Sequence, residues 1–246
     1  MPPIFRALLA EQLKLRRSPV WLAFFTLPIL PAVMGTFNYL QNLEILQQEW
    51  YSLWSQHTLF TCYFFLPAII GVYCSYLWRL EHAHYNWNSF MTAPVPVFYL
   101  YFAKLAAAWG MVILTQAWIG ILFVFSGKLI GLSAPIPAEL PAWLLGGALG
   151  GMVICALQLC MSLVLRSFAV PVGLALVGGV MGIGALAKGF GVWYPYTLLS
   201  LGMRANRPDG SMPCSPEQFL LNSLLYLGVF CVFPLIWLKT RDVVTA

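Results

Sequence analysis

Charge is what this sequence most lacks. Asp, Glu, Lys and Arg make up 9% of its 246 residues, against about 25% in a soluble domain. That scarcity excludes an ordinary soluble fold. The short words of common enzymes are missing too. There is no G-x-S-x-G turn for a nucleophilic serine, no H-E-x-x-H for a zinc hydrolase and no C-x-x-C pair. The single Gly-Lys pair, Gly127-Lys128, lacks the following Ser/Thr and the upstream glycine of a phosphate-binding loop. A nucleotide site in this chain is therefore excluded. No basic cluster is large enough for nucleic acid, so the net charge of +5 needs another explanation. No apolar run alternates with period two, which excludes a transmembrane barrel.

Long apolar runs are what the chain does have, with 61% hydrophobic residues. About 18 or more uncharged apolar residues cross the hydrocarbon core as a helix, and helices satisfy their own backbone there. The expected class is an all-α polytopic membrane protein, a single unit over 1–246 with six spans. These are expected at about 20–35, 59–78, 105–125, 140–165, 168–187 and 219–238. Five of the six cysteines fall in those spans and read as small apolar fillers, with only Cys214 in a loop. Pro28 and Pro31 in the first run, and the lack of a small-x-small exit, argue against a cleaved signal.

Loop charge sets the orientation. One side carries Arg6, Lys14, Arg16, Arg17, Arg79, Lys104, Arg166, Lys239 and Arg241; the other carries Lys128, Lys188, Arg204 and Arg207. The bias places both termini in the cytoplasm and explains the net charge. Ahead of the first span, Ile4, Phe5, Leu8, Leu9 and Leu13 share one face of a helix, with Arg6, Lys14 and Arg17 opposite. That pattern is an amphipathic interfacial helix. Between spans one and two, residues 37–58 have helical spacing of Leu43, Leu46, Trp50, Leu53 and Trp54. They read either as an extension of the first span or as a surface helix. Trp50, Tyr51 and Trp54 are then an aromatic belt or a contact surface for an amphipathic cargo, beside Glu44 and Glu49. Before span six, the apolar first half of 188–218 reads as a re-entrant or interfacial segment. The pairs Gly146/Gly150, Gly147/Gly151 and Gly178/Gly182 mark close helix packing.

Ionisable residues inside a membrane are functional candidates, and here the only one expected in a span is Lys104, near enough to one face to snorkel. No expected span carries a carboxylate, which disfavours ion-coupled transport. The polar chemistry gathers instead in WRLEHAHYNWNSFMTAPVP, residues 78–96. His82 and His84 point about 200° apart on a helix and cannot share a metal there. Pro94 and Pro96 end any helix in the stretch. A short helix over 81–92 along the inner surface, with Trp87 and Phe90 as anchors and polar neighbours, suits a protein contact.

Four segments carry a family resemblance: LLAEQLKLRRSPVW (8–21), GTFNYLQN (35–42), WYSLWSQHTLF (50–60) and YLWRLEHAHYNWNSFMTAPVP (76–96). With the six-span layout they resemble the membrane permeases of ABC-2 type exporters, in particular the lantibiotic-immunity and bacteriocin-export group of Gram-positive bacteria. The resemblance implies a bacterial plasma-membrane permease with no cofactor of its own. A cytoplasmic ATPase dimer would bind ATP and Mg2+, and a second permease would complete a heterodimer. The cargo would be a cationic antimicrobial peptide. The 81–92 helix becomes a coupling helix, with Arg79, Glu81, His82, Asn86, Trp87 and Asn88 meeting the ATPase. Glu44, Glu49, Trp50, Tyr51 and Trp54 become possible cargo contacts. The alternative is a membrane-embedded enzyme acting on lipid or peptide through His82 or His84.

Overall fold

A computed structural model describes residues 2–82 and 95–240. The described residues are helical, with no strand among them. Six stretches are long and apolar enough to cross a bilayer: Val20–Gln41, Glu49–His82, Val97–Leu129, Leu140–Val164, Ala169–Ala187 and Pro216–Leu238. The expected six spans are present. Spans 1, 2 and 3 are longer than expected because their ends are polar or aromatic yet still helical. Six crossings bring the N-terminal helix and the end of span 6 to one pole of the bundle, called here the near pole. The other is the far pole.

α1 (Pro3–Leu15) lies at the near pole. Span 1 is broken into α2 (Val20–Thr26) and α3 (Ile29–Gln41). The cause is Pro28, which lacks an N–H and collides with the preceding turn. Span 2 joins α4 (Glu49–Phe60) to α5 (Leu66–His82) through a π-helical turn at Thr61–Phe65. Pro67 follows at once and cannot donate to the Tyr63 carbonyl four residues back. Span 5 answers that vacancy: a Cβ on Gly179 would sit 2.5 Å from the Tyr63 oxygen, so only glycine lets the two backbones meet there. Spans 3, 4 and 5 are α6 (Val97–Leu129), α7 (Leu140–Val164) and α8 (Ala169–Ala187). A 3-10 turn at Gly191–Trp193 and a short helix, α9 (Thr197–Gly202), precede span 6, α10 (Pro216–Thr240).

Spans 2 and 4 form the axis, with 67% and 61% of their apolar windows buried, while spans 1, 5 and 6 are buried at 33%, 28% and 22% and line the outside. Every residue of α9 is buried. It packs into the bundle against span 4, where Cβ atoms on Gly146 and Gly150 would lie 2.4 Å from the carbonyls of Gly202 and Leu198. The glycine stripe thus serves a close approach to this short helix.

The reading of 37–58 needs correction. Span 1 continues to Gln41, and span 2 begins at Glu49, leaving a connection of residues 42–48. Trp50 and Trp54 are 1% and 0% exposed, so neither belongs to an aromatic belt. Their indole N–H groups donate to Ala134 O and Met203 O, each at 2.8 Å, and Trp54 stacks on Trp143 at 5.4 Å. A buried indole needs such a partner. Thr36 and Asn38 on span 1 bond to His57 and Gln56 on span 2 at 2.8 and 2.6 Å, so this stretch is sewn into the interior.

Candidate functional site

The near pole holds all four ion pairs found among the described residues. Glu11 on α1, Glu81 at the end of α5 and Lys104 on α6 converge with Lys14 of α1. Lys104 has no exposed surface. Its Nζ donates to Glu11 Oε1 and Oε2 at 3.0 and 3.1 Å, Glu81 Oε1 at 2.8 Å and Leu77 O at 3.2 Å, under the Trp78 ring at 5.0 Å. Lys14 Nζ donates to Glu11 Oε1 at 2.7 Å and also to Glu81. Two carboxylates thus face two ammonium groups, and the donors of Lys104 are all engaged. The snorkelling expected of Lys104 does not occur, because its partners are inside. The expectation that no span carries a carboxylate also fails at Glu81. Burial alone would lower the Lys14 pKa, but Glu11 and Glu81 outweigh it and hold the amine above its ordinary range.

Sequence periodicity explains how α1 reaches this cluster. Phe5, Leu9 and Leu13 are 53%, 45% and 66% exposed and form the outward apolar face. Ala7, Glu11 and Leu15 recur at four-residue spacing on the opposite strip and are buried, with α1 packed on α6. Small Ala7 admits the close approach, and Glu11 then points inward.

The other residues singled out near this pole separate. Arg79 is exposed and lies over the Phe168 ring at 5.7 Å, joining the end of span 2 to the start of span 5. His82 is half-buried, stacks on Trp78 and sits 3.4 Å from Ser162 O on span 4. Glu81 is a buried member of the ionic cluster and not a surface group. His84, Asn86, Trp87, Asn88 and Phe90 lie outside the described residues, as does most of the expected 81–92 helix. No group of three or more His, Cys, Asp or Glu able to hold a metal occurs among the described residues.

A second concentration of polar groups lies at the far pole. A hollow of about 630 Å3 is lined by Glu49, Tyr51, Glu139, Trp143 and Asp209. Glu49 has a positive φ of 35°, a conformation that strains a residue with a side chain, and its carboxylate accepts the Ala134 N–H at 2.9 Å. Tyr51 Oη donates to Glu139 Oε2 at 3.0 Å. Of the expected cargo contacts, Glu49 and Tyr51 line this hollow. Trp50 and Trp54 are buried beneath it, where packing and not surface contact is their role. Glu44 is exposed on the 42–48 connection and is not among the lining residues. Glu139 and Asp209 were missed, since only the fold brings them beside Glu49.

A polytopic helical bundle whose interior is held by ionic and polar side chains, with no nucleotide-binding motif, has the build of a transporter's membrane component. Residues 7–182, more than half of the chain, match the family described as ABC-2 family transporter protein. The chain belongs to that family. Comparison with curated proteins and with solved structures gave no match. The family makes this a multi-pass membrane permease subunit of an ABC transporter, which works with an ABC ATPase partner.

Proposed function

We propose that this permease exports a cationic amphipathic antimicrobial peptide and so protects the cell that makes it or meets it. The near pole then faces the cytoplasm of a bacterial plasma membrane, following the loop-charge bias. A separate ATPase dimer binds and hydrolyses ATP with Mg2+ beneath the bundle, and a second permease subunit completes the pore. The segment that follows His82, including Asn86, Trp87 and Asn88, seats on the ATPase. Arg79, Glu81 and His82 connect that segment to spans 5, 3 and 4.

The observation that carries this reading is the ionic cluster at the mouth of that segment. A displacement of the chain after His82 pulls first on Glu81. Glu81 is bonded to Lys104 of span 3 and Lys14 of α1, so the three helices move together. A ligand or motor shifts such an element only through contacts that differ between two states, and a buried ionic joint is costly to stretch and therefore transmits the shift. The acidic, aromatic hollow at the far pole supports a cationic cargo: Glu49, Glu139 and Asp209 supply negative charge and Tyr51 and Trp143 supply ring surface.

The test uses the permease pair and its ATPase reconstituted in liposomes. Trp87→Ala is expected to lose ATPase association, and Lys104→Met to keep association while losing peptide-stimulated ATP hydrolysis. Glu49→Gln with Glu139→Gln is expected to weaken stimulation by a cationic peptide more than by a neutral analogue. Equal stimulation of all variants would end the proposal. Activity on lipid or peptide without any ATPase, lost on His82→Ala, would favour the enzyme alternative.

A further inference from the structure

The far pole carries another hollow on the opposite side of the Pro208–Asp209 turn, of about 570 Å3 and of different chemistry. Its lower wall is apolar and belongs to the spans: Leu59 and Tyr63 from span 2, Ile183 and Leu186 from span 5. Ile183 is 40% exposed on the lipid-facing side of span 5. Its upper wall is the connection before span 6, which brings in Arg204 and Arg207. Two cations thus stand directly above an apolar cleft, at the level where span 5 ends.

Neither arginine has a carboxylate within ion-pair distance among the described residues. Asp209 also lines the hollow; its oxygens accept the Ser211 N–H at 3.2 Å and the Ser211 Oγ–H at 2.7 Å, and Arg207 attracts it only at longer range, as the weakest influence on it. Arg204 is half-buried, sits at a φ of 53° and donates one nitrogen to Leu201 O at 2.8 Å. The same nitrogen makes a long contact to Gly202 O at 3.5 Å, and the other guanidinium nitrogens have no acceptor among the described residues. Burial holds its pKa below the ordinary arginine range, which a bound anion would reverse. A guanidinium offers a planar fork suited to phosphate oxygens.

We propose that this hollow is a binding site for an anionic phospholipid of the far-pole leaflet, its phosphate held by Arg204 and Arg207 and one acyl chain laid along Leu59, Ile183 and Leu186. The order of the walls selects a lipid over a soluble anion. The cations lie at headgroup height, and the floor below them is apolar and opens sideways toward hydrocarbon. The bound lipid closes the gap between span 2 and the connection before span 6, and so braces α9 from the outside. This site adjoins the acidic hollow across the Pro208–Asp209 turn, which lines both, and its occupant carries the opposite charge to the peptide proposed there.

The full chain, purified in detergent, is titrated with dioleoyl phosphatidylglycerol or dioleoyl phosphatidylcholine and read by native mass spectrometry. Phosphatidylglycerol is expected to bind about tenfold more tightly, the scale of one charge-assisted contact pair. Arg207→Gln, at an exposed position that leaves the fold intact, is expected to bring the two lipids to near parity. Ile183→Trp, which fills the floor while keeping both arginines, is expected to weaken both lipids. Millimolar inorganic phosphate is expected to leave phosphatidylglycerol bound. Equal binding of the two lipids by the unaltered chain would overturn the proposal. So would an undiminished preference in Arg207→Gln combined with Arg204→Gln. Full displacement of the lipid by phosphate would replace it with a soluble-anion site.

Discussion

Lys104→Met is the sharpest perturbation of the near-pole cluster. Methionine keeps the length and apolar stem of lysine and removes only the ammonium. In the native chain that group meets four oxygens, three of them on the carboxylates of Glu11 and Glu81. After the change those carboxylates, 3% and 5% exposed by residue, share Lys14 alone. Breaking a buried ion pair from one side leaves an uncompensated charge, and the usual cost is about 3–5 kcal/mol. For a chain of this size each kcal/mol lowers the melting temperature by about 2–4 °C, so the drop should be roughly 6–20 °C. Thermal unfolding of the detergent-purified protein, followed by size-exclusion of the folded fraction, measures it. The double change Glu81→Gln with Lys104→Met leaves Glu11 paired with Lys14 at 2.7 Å, removes the imbalance and should recover most of the loss. A single-variant melting temperature within about 2 °C of the native value would refute the argument, because that is less than 1 kcal/mol on the same scale.

Three further outcomes are expected. Gly179→Val should destabilise the bundle by about 2–4 kcal/mol, since even its Cβ would lie 2.5 Å from the Tyr63 carbonyl; an unchanged melting curve would show that spans 5 and 2 do not meet there. The raised pKa of Lys14 means its contribution is fully present below the unfolded value of 10.5 and fades as pH climbs through the higher folded value. Stability scans should show an alkaline decline that Lys14→Met lacks, and identical curves would remove the cluster from the explanation. Gln116→Met should be neutral or stabilising by about 1 kcal/mol, because the buried Gln116 Oε1 has no hydrogen-bond partner and its amide nitrogen only a sulfur at 3.3 Å; chemical unfolding measures the sign.

What the sequence revealed and what it hid follow from the physics of each signal. Apolar runs reveal spans because lipid rejects polar side chains, so α7 and α8 are legible almost to their ends. The same rule fails where a span faces protein. Trp50 to Thr58 has helical spacing but reads as lying outside a span because Ser52, Ser55, Gln56, His57 and Thr58 are polar, yet all are buried, with partners on neighbouring helices or their own turn. The ionic cluster is hidden for another reason. Its members stand 93 and 23 positions from Lys104, and no local pattern joins them. One trace was readable: Glu11 falls between Ala7 and Leu15 at helical spacing, on a strip that also holds the smallest side chain facing inward. A lone carboxylate on such a strip needs a cation opposite it, and Lys104 was the one cation expected in a span.

Span 2 connects the two poles. It carries Glu49 at the far hollow and Glu81 at the near cluster on one helical stretch of 34 residues, which at 1.5 Å per residue is about 51 Å long. A regular helix of that length would carry a displacement from end to end with little loss. This one is interrupted at Thr61–Phe65, where the π turn and Pro67 remove the regular backbone bonding. Gly179 of span 5 bears directly on that interruption. The stiff α5 therefore ends on a pivot, and α4, bonded to span 1 through Thr36–His57 and Asn38–Gln56, begins there. On the coupling proposed above, a pull on Glu81 would reach the Tyr63–Gly179 contact as a tilt of α5. It would pass from there to α4 through the bend, with Glu49, at its strained φ and bonded through its carboxylate to the Ala134 N–H, at the end of that lever.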